Sequence, residues 1–219
     1  MEGEEHQMAP KFMFTKDEIT AAALNVTREN GLQGLTARSL AAELGCSVKP
    51  IFGLFRNMEE VQQEVLRSAG ALCQSYFEED MKKGEYPPYK AGGMAYIRFA
   101  KNEKELFKLL FMRDRSRERM QDNDRELQPL IELIMRNTGI SAENARLLHL
   151  EMWICVHGIA TMMATSYLDL DDALVSRVLT DTYAGLKYRY SENDSNDKPM
   201  LKEGNCDGSD QDTGAHEKI

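Results

Sequence analysis

Residues 36–55, TARSLAAELGCSVKPIFGLF, place hydroxyl and basic side chains on two short segments with helical apolar spacing. Gly45 separates the segments, and the small residue Ala41 comes four positions before it. A helix-turn-helix requires this spacing, because its two helices pack closely across a short turn. Lys49 would then lie near the exposed start of the second helix, where a recognition helix meets base edges in the major groove. A structural helical hairpin that never contacts DNA has the same pattern and stays an open alternative.

Helical periodicity assigns a face to each residue of these two segments. Five apolar residues fall on the inward face: Leu40, Leu44, Cys46, Ile51 and Leu54. We expect the Ser47 hydroxyl to cap the second helix and Pro50 to lie in its first turn, where a missing N–H costs little. The N-terminal end and exposed face of that helix would carry Ser47, Val48, Lys49, Pro50, Phe52 and Gly53.

A second group of chemically capable residues lies further along the chain. His149, Trp153 and His157 follow at four-residue steps, so they share one face of a helix. Imidazole and indole groups on a buried face could line a pocket and orient a ligand through their N–H groups. The alternative is a core histidine that is hydrogen-bonded to a neighbouring helix. No carboxylate or cysteine shares this face at ligand spacing, so we expect no metal site.

The elements that position these residues are predicted to be helices throughout. Apolar residues recur at three- and four-residue spacing, and no window shows sustained strand-like alternation, so the fold class is all-α with about nine helices. Thr36, Ser47, Ser141 and Asp171 can cap helix starts, and glycines mark where helices stop: Gly31, Gly45, Gly84 and Gly139. The predicted helices cover residues 16–30, 37–44, 48–55, 58–82, 88–102, 104–112, 125–138, 142–168 and 172–190.

The charge of the chain is concentrated in its two ends. Of the formal net charge of −9, residues 1–10 carry −3 and residues 191–219 carry −5, so residues 11–190 carry only −1. The overall acidity therefore does not exclude a basic surface for DNA in the body of the chain. Residues 191–219 are poor in large apolar side chains, and we expect them to form a disordered acidic tail.

Composition excludes several classes of protein. No apolar run approaches the roughly 18 residues of a membrane helix, no leader pattern precedes the body, and the four cysteines have no zinc-like spacing, so we expect a cytoplasmic protein with reduced thiols. Paired carboxylates, a nucleophile beside a base and a glycine-rich phosphate loop are absent from the sequence pattern. We therefore expect neither an enzyme nor a bound cofactor.

The sequence around the helix-turn-helix resembles the DNA-binding domain of TetR/AcrR-family transcriptional regulators. The resemblance extends over residues 14–67 and includes AAALNVTRENGLQGLTARSLAAELGCSVKPIFGLFRNMEEV. More loosely, EMWICVHGIATMMATSYLDL resembles a regulatory domain marked by a Trp and a His-Gly pair on a long helix. The resemblance implies a flexible N-terminus at 1–10, a DNA-binding domain at 11–57, a regulatory and dimerisation domain at 58–190 and the tail at 191–219.

The resemblance also implies roles for individual residues. The expected DNA contacts are Thr36, Arg38, Ser47, Val48, Lys49, Pro50, Phe52, Gly53 and Arg56. The expected ligand-binding residues are Cys73, Met94, Phe111, Ile134, Trp153 and His157, and the expected dimer contacts are Met163, Tyr167, Val178, Thr182 and Leu186. Where the family usually has a tyrosine, a histidine and a lysine that hold the DNA backbone, this chain has Phe52, Leu54 and Met58.

Two functions follow from the resemblance. The first is a homodimeric regulator, a repressor that binds double-stranded operator DNA with a palindromic sequence and is released by a small apolar or amphipathic effector in its helical core. The second is a small-molecule or protein-binding module that keeps the fold with weakened or lost DNA binding, as the three departures permit.

Overall fold

The described part of the chain is built from helices. The computed structural model describes residues 13–114 and 123–196. These residues form nine helices and no strand, which confirms the all-α prediction. The helices are α1 Lys16–Gly34, α2 Ala37–Glu43, α3 Lys49–Leu54, α4 Met58–Lys83, α5 Pro88–Asn102, α6 Lys104–Phe111, α7 Asn123–Thr138, α8 Ala142–Ala164 and α9 Asp172–Asn196.

Three of the predicted caps are present. The Thr36 hydroxyl accepts the backbone N–H of Ser39 at 3.1 Å, and the Ser141 hydroxyl accepts that of Asn144 at 3.3 Å. The Asp171 carboxylate accepts the backbone N–H of Leu174 at 2.7 Å. Each cap satisfies a donor that the first turn of a helix leaves unpaired.

The predicted Ser47 cap is wrong. Val48 is the N-cap residue of α3, with φ −70° and ψ −15°, and no side chain caps this helix. A capping hydroxyl accepts the N–H of the second or third helical residue. If Ser47 were the cap, the third residue would be Pro50, which has no N–H to donate, so only the N–H of Lys49 would be left for the hydroxyl.

Three helix ends differ from the sequence prediction by four or more residues. Helix α1 continues past the predicted end at residue 30 to Gly34, across a kink at Gly31. Helix α8 ends at Ala164 because Ser166 adopts φ +58° and the N–H groups of Tyr167 and Leu168 turn back to the Met162 carbonyl. Helix α9 continues to Asn196, past its predicted end at residue 190, so the first six residues of the predicted tail are helical. The remainder of that tail, 197–219, and residues 1–10 lie outside the described residues.

One hydrophobic core runs through the described part of the chain. Helix α5 packs against α4 and α8, α8 packs against α7 and α9, and α1 rests on α4 and α6. Within the described residues α8 alone is long and apolar enough to cross a membrane, a test that a core helix also passes. It packs against four neighbouring helices, α5, α6, α7 and α9.

Candidate nucleic-acid interface and regulatory core

The helix-turn-helix is held together by backbone bonds across a glycine turn. Gly45 adopts φ +64°, which an L side chain rarely adopts, and the Cys46 N–H bonds the Ala41 carbonyl at 3.0 Å. Leu40 and Ile51 are completely buried beneath this turn. The other three inward positions, Leu44, Cys46 and Leu54, are half-buried. Sequence spacing thus assigned the inner face of the motif correctly.

The predicted DNA-contacting residues form an exposed surface along α3 and the start of α2. Phe52 is 45% exposed and Val48 37% exposed, although both are apolar. Pro50 is half-buried, and the other members of this surface are exposed: Thr36, Arg38, Ser47, Lys49, Gly53 and Arg56. The Thr36 hydroxyl already caps α2, so its lone pairs are partly used within the chain.

Arg56 is paired with Glu60, an acidic residue that the sequence prediction did not include. The Glu60 carboxylate accepts the backbone N–H of Arg56 at 2.8 Å and lies 3.4 Å from its Nε. It also pairs with Lys16 Nζ at 3.0 Å. The Arg56 N–H, followed by Lys16, lowers the pKa of Glu60 to about 2. Two cations at this edge of the motif therefore have a carboxylate partner.

The spacing Asn57-x-x-Glu60 was the available signal for Glu60. Asn57 caps α4 by accepting the Glu60 N–H at 2.9 Å, and a Glu three residues after a cap lies at the start of its helix. The spacing predicts where the backbone of Glu60 lies. It does not predict that the carboxylate reaches α1, because that contact depends on how α1 and α4 pack.

An aromatic cluster joins α5, α6 and α8. It consists of Tyr96, Phe107, Phe111, Trp153 and His157. His157 lies at its centre: Nδ1 is 2.9 Å from the Tyr96 hydroxyl, the imidazole is 6.0 Å from the Phe107 ring, and the Trp153 indole stacks on it at 5.2 Å. Burial lowers the pKa of His157, so the imidazole is neutral near pH 7.

A second tyrosine–histidine pair lies two turns away along the same helix interface. The Tyr89 hydroxyl is 3.1 Å from His149 Nδ1, and the Tyr89 ring also packs on Tyr183 of α9 at 5.7 Å. Burial lowers the pKa of His149 and raises that of Tyr89. His149 therefore has the surroundings expected of a core histidine bonded to a neighbouring helix.

The six predicted ligand-binding residues do not come together. Phe111, Trp153 and His157 belong to the aromatic cluster, but Met94 lines a cleft of 140 Å³ between α4, α5 and α9. Met94 and Tyr96 are two positions apart on α5, so they face roughly opposite sides of that helix. Cys73 and Ile134 are buried in α4 and α7. Burial raises the pKa of the Cys73 thiol to about 11, which leaves it protonated.

Trp153 differs from the prediction in its exposure. The sequence placed it on a buried face, whereas 49% of it is exposed and only its contact with His157 is covered. Trp153 therefore lies at the solvent-exposed edge of the aromatic cluster.

Comparison with known proteins shows which fold this is. Residues 89–182 match the protein family described as "Tetracyclin repressor-like, C-terminal domain". A TetR-like transcriptional regulator from Rhodococcus sp. RHA1 is 13% identical, with a TM-score of 0.55 over 83% of this chain and 97% of that one. A protein of unknown function from the same organism is 21% identical, with a TM-score of 0.56 over 86% of this chain and 99% of that one. A search of curated protein sequences found no match.

The chain has the TetR fold, and its residues 89–182 match a tetracyclin repressor-like C-terminal domain. The resemblance drawn from the sequence is thereby confirmed at the level of the fold. In the TetR-fold chain, α1–α3 contain the helix-turn-helix, and the matched residues run from the start of α5 into α9.

The predicted dimer residues of the TetR-fold chain fall into three groups. Met163 is only 2% exposed and packs inside the core, so it cannot contact a partner, and its prediction is wrong. Tyr167 is 78% exposed but lies in the turn after α8. Val178, Thr182 and Leu186 are half-buried on α9. The reason for the Met163 error is that the apolar positions of α8 cover more than one face.

The exposed apolar residues of α8 were missed. Leu147, Leu150 and Ile154 are 42%, 50% and 57% exposed and recur at three- and four-residue spacing, so they share one face. Leu174 on α9 is also exposed. A contiguous exposed apolar surface of this kind is typical of a protein interface.

Proposed function

We propose that the chain is a DNA-binding transcriptional regulator, a repressor that acts in the cytoplasm as a homodimer and leaves its operator when a small apolar or amphipathic ligand binds. The observation that carries the proposal is the exposed face of α3 on a TetR-type helix-turn-helix, attached to a tetracyclin repressor-like domain. The boundaries we propose are 11–57 for the DNA-binding domain and 58–190 for the regulatory domain, which α9 extends to Asn196.

DNA binding by α3 would be of modest strength and sensitive to salt. Lys49 and Arg38 are exposed, whereas Arg56 shares its charge with Glu60. Phe52 has no hydroxyl to donate to a phosphate. Each lost phosphate contact lowers the slope of log affinity against log salt by about one unit.

Dimerisation would use the exposed apolar face of α8 together with α9. Leu147, Leu150 and Ile154 of α8 lie exposed on the TetR-fold monomer, and two copies could bury them about a two-fold axis. Four helices, two from each subunit, would then pack as a bundle. This arrangement would set two α3 helices about 34 Å apart, which suits a palindromic operator.

Ligand binding would act through α6. The aromatic cluster contacts α6 through Phe107 and Phe111, and at the start of α6 Glu103 Oε2 accepts Arg28 Nε of α1 at 2.7 Å. Glu105 lies close to Gly31, also in α1. A ligand that displaced α6 would therefore shift the DNA-binding domain and change the balance between bound and free dimers.

The DNA-binding part of the proposal is tested by fluorescence anisotropy with a labelled duplex from the region upstream of the chain's own coding sequence. The wild-type protein is expected to bind it, and the double variant Arg38→Ala/Lys49→Ala is expected to bind at least tenfold more weakly with a smaller salt slope. Lys82→Ala, at an exposed lysine near the end of α4, serves as the matched control and keeps wild-type binding. Equal affinity of all three proteins would contradict the proposal.

The ligand part is tested by native mass spectrometry of the purified protein. We expect a bound small molecule whose occupancy falls in His157→Ala and Phe111→Ala, with Met81→Ala as the exposed control. The duplex should then be released when the molecule is added back. Unchanged DNA affinity with the molecule bound would contradict the proposal that the ligand releases the operator.

Two observations favour a second function. Phe52 is exposed where the family usually has a tyrosine, and the Glu60 carboxylate accepts hydrogen bonds from Arg56. Both features suit a TetR-fold module that binds small molecules or proteins with weak or lost DNA binding. Absence of binding to the upstream duplex at low salt would favour this second function.

A further inference from the structure

The exposed face of α3 is apolar at two positions one helical turn apart. Val48 and Phe52 are 37% and 45% exposed and follow at a four-residue step, so their side chains lie on the same side of the helix. Ile51 and Phe55, which are 0% and 1% exposed, anchor the adjacent side of the helix in the core. These anchors fix the direction of the exposed pair, because α3 cannot rotate without exposing them.

The surroundings of the pair favour a polyanionic partner. Lys49 lies next to Val48, and Arg38 of α2 is exposed as well. Neither Arg38 nor Lys49 has an ion pair within the described residues, whereas Arg56 and Lys16 share Glu60. An apolar pair with unpaired cations beside it suits the major groove, where phosphates flank the base edges.

Only one apolar group is presented by the base edges of the major groove. This group is the C5-methyl of thymine, since cytosine has only a hydrogen at C5 and the other recognition groups, N7, O6, O4 and the exocyclic amines, accept or donate hydrogen bonds. Val48 and Phe52 have no polar side-chain atom, so they cannot read any of those donors or acceptors.

We propose that Val48 and Phe52 select thymine in each operator half-site by contacting its C5-methyl group. This inference rests on the proposed DNA-binding function and specifies how that function chooses a sequence. The hydroxyl-free ring of Phe52 thus becomes a specificity-determining group, and Lys49 supplies the adjacent polar contact.

The test replaces single methyl groups in the DNA. Duplexes are first recovered from a random-sequence pool by binding to the full-length chain. Each thymine of a recovered duplex is then replaced by uracil, which removes the methyl group and leaves base pairing unchanged. Burial of one methyl group corresponds to about a fourfold change in affinity, so we expect about a fourfold loss at one or two positions of each half-site.

Protein variants assign the effect to the two residues. Phe52→Ala is expected to bind the thymine and uracil duplexes equally at the position that Phe52 contacts, and Val48→Ala at the neighbouring position. Met81→Ala, which removes an equally exposed apolar side chain from α4, keeps the full sensitivity. Circular dichroism checks that each variant is folded, as expected for exposed positions.

The failure of this inference is distinguishable from that of the proposed function. Recovered duplexes that bind equally well after every thymine-to-uracil replacement overturn the inference and leave DNA binding in place. A pool from which no duplex is enriched overturns both, and would identify Val48 and Phe52 as a surface for a protein partner.

Discussion

Trp153 lies flat on His157, with ring centroids 5.2 Å apart and planes 12° from parallel. Trp153 is the single tryptophan of the chain, so its emission reports on this contact alone. The same imidazole also contacts the Tyr96 hydroxyl at 2.9 Å and lies 6.0 Å from the Phe107 ring, whereas Trp153 is 49% exposed.

Acid is predicted to change Trp153 emission and to destabilise the fold. Burial lowers the pKa of His157 below its usual 6.5, so the folded state favours the neutral imidazole. The unfolded chain therefore binds more protons between the two pKa values, and stability is complete above about pH 6.5 and is lost as the pH falls through the folded pKa. A fluorescence titration should show a transition below pH 6.5 that is absent in His157→Gln.

His149 gives the matched comparison for this titration. Burial lowers its pKa as well, so it contributes to the same loss of stability on acidification. His149→Gln should weaken the pH dependence of urea unfolding but leave the Trp153 emission transition in place, since Trp153 stacks on His157. An emission transition that persisted in His157→Gln would contradict the assignment.

Glu60→Gln is predicted to loosen the contact between α1 and the turn after α3. The neutral amide loses the ion pair with Lys16 and the charge-assisted bond from the Arg56 N–H. Because the folded pKa of Glu60 is lowered to about 2, its contribution is present above the unfolded value of about 4.5 and is lost as the pH falls toward 2.

The measurement is the melting temperature of wild type and variant at pH 7 and pH 2.5. The variant should melt lower at pH 7, and the difference should shrink at pH 2.5. Glu59→Gln changes the neighbouring carboxylate of the same first turn and should have little effect. A pH-independent difference would show that the amide disturbs packing and not charge.

Gly31→Ala is predicted to destabilise the chain by about 1–3 kcal/mol, because φ +69° with ψ 174° lies in a region that is essentially restricted to glycine. An added Cβ would also come within 2.9 Å of Glu105 Oε2, which can swing away at the loss of its bond to Lys108. Gly45→Ala has a similar φ of +64° and open space around it, so it measures the backbone cost alone.

Gly70→Ala completes this comparison. Gly70 lies inside α4, with negative φ and nothing within 4 Å of an added Cβ. Alanine is favoured over glycine in a helix by up to about 1 kcal/mol, so this variant should be stabilised. Urea unfolding of the three variants checks the signs, and a destabilised Gly70→Ala would point to a close approach that the monomer does not have.

Ile154→Asp is predicted to convert the proposed dimer to a monomer. Ile154 is 57% exposed on α8, so the change leaves the folded monomer intact but places a charge in the proposed interface. Sedimentation equilibrium at micromolar concentration measures the effect. Met81→Asp, at an equally apolar but distant position, should remain dimeric, and a monomeric wild type would refute the interface.

Residues 36–55 illustrate what sequence can predict. The order of apolar residues assigned Leu40 and Ile51 to the core, because each helix there has one buried face and a short turn. Local chemistry also predicted the Thr36, Ser141 and Asp171 caps. Cap prediction failed at Ser47, where Pro50 removes one of the two N–H donors that a capping hydroxyl can accept, a feature that is visible in the sequence.

The grouping of the candidate ligand residues could not be predicted from the sequence. Met94 and Tyr96 are close in sequence but lie on opposite faces of α5, and only tertiary packing decides which face meets α6. The apolar residues of α8 surround the helix, so sequence could not separate Met163 in the core from Ile154 at the surface. The reach of Glu60 to Lys16 depends on the same kind of information.

The end of α9 is hydrogen-bonded to the start of α8. Asp194 accepts the backbone N–H of Ser141 at 2.6 Å and the Asn144 amide at 2.7 Å, so a residue near the far end of α9 anchors the first turn of α8. These bonds join the end of α9 to the start of α8 across about 50 residues of sequence. Proteolytic removal of the residues after Tyr190 would break both bonds. We therefore expect α9 to resist cleavage up to about Asn196.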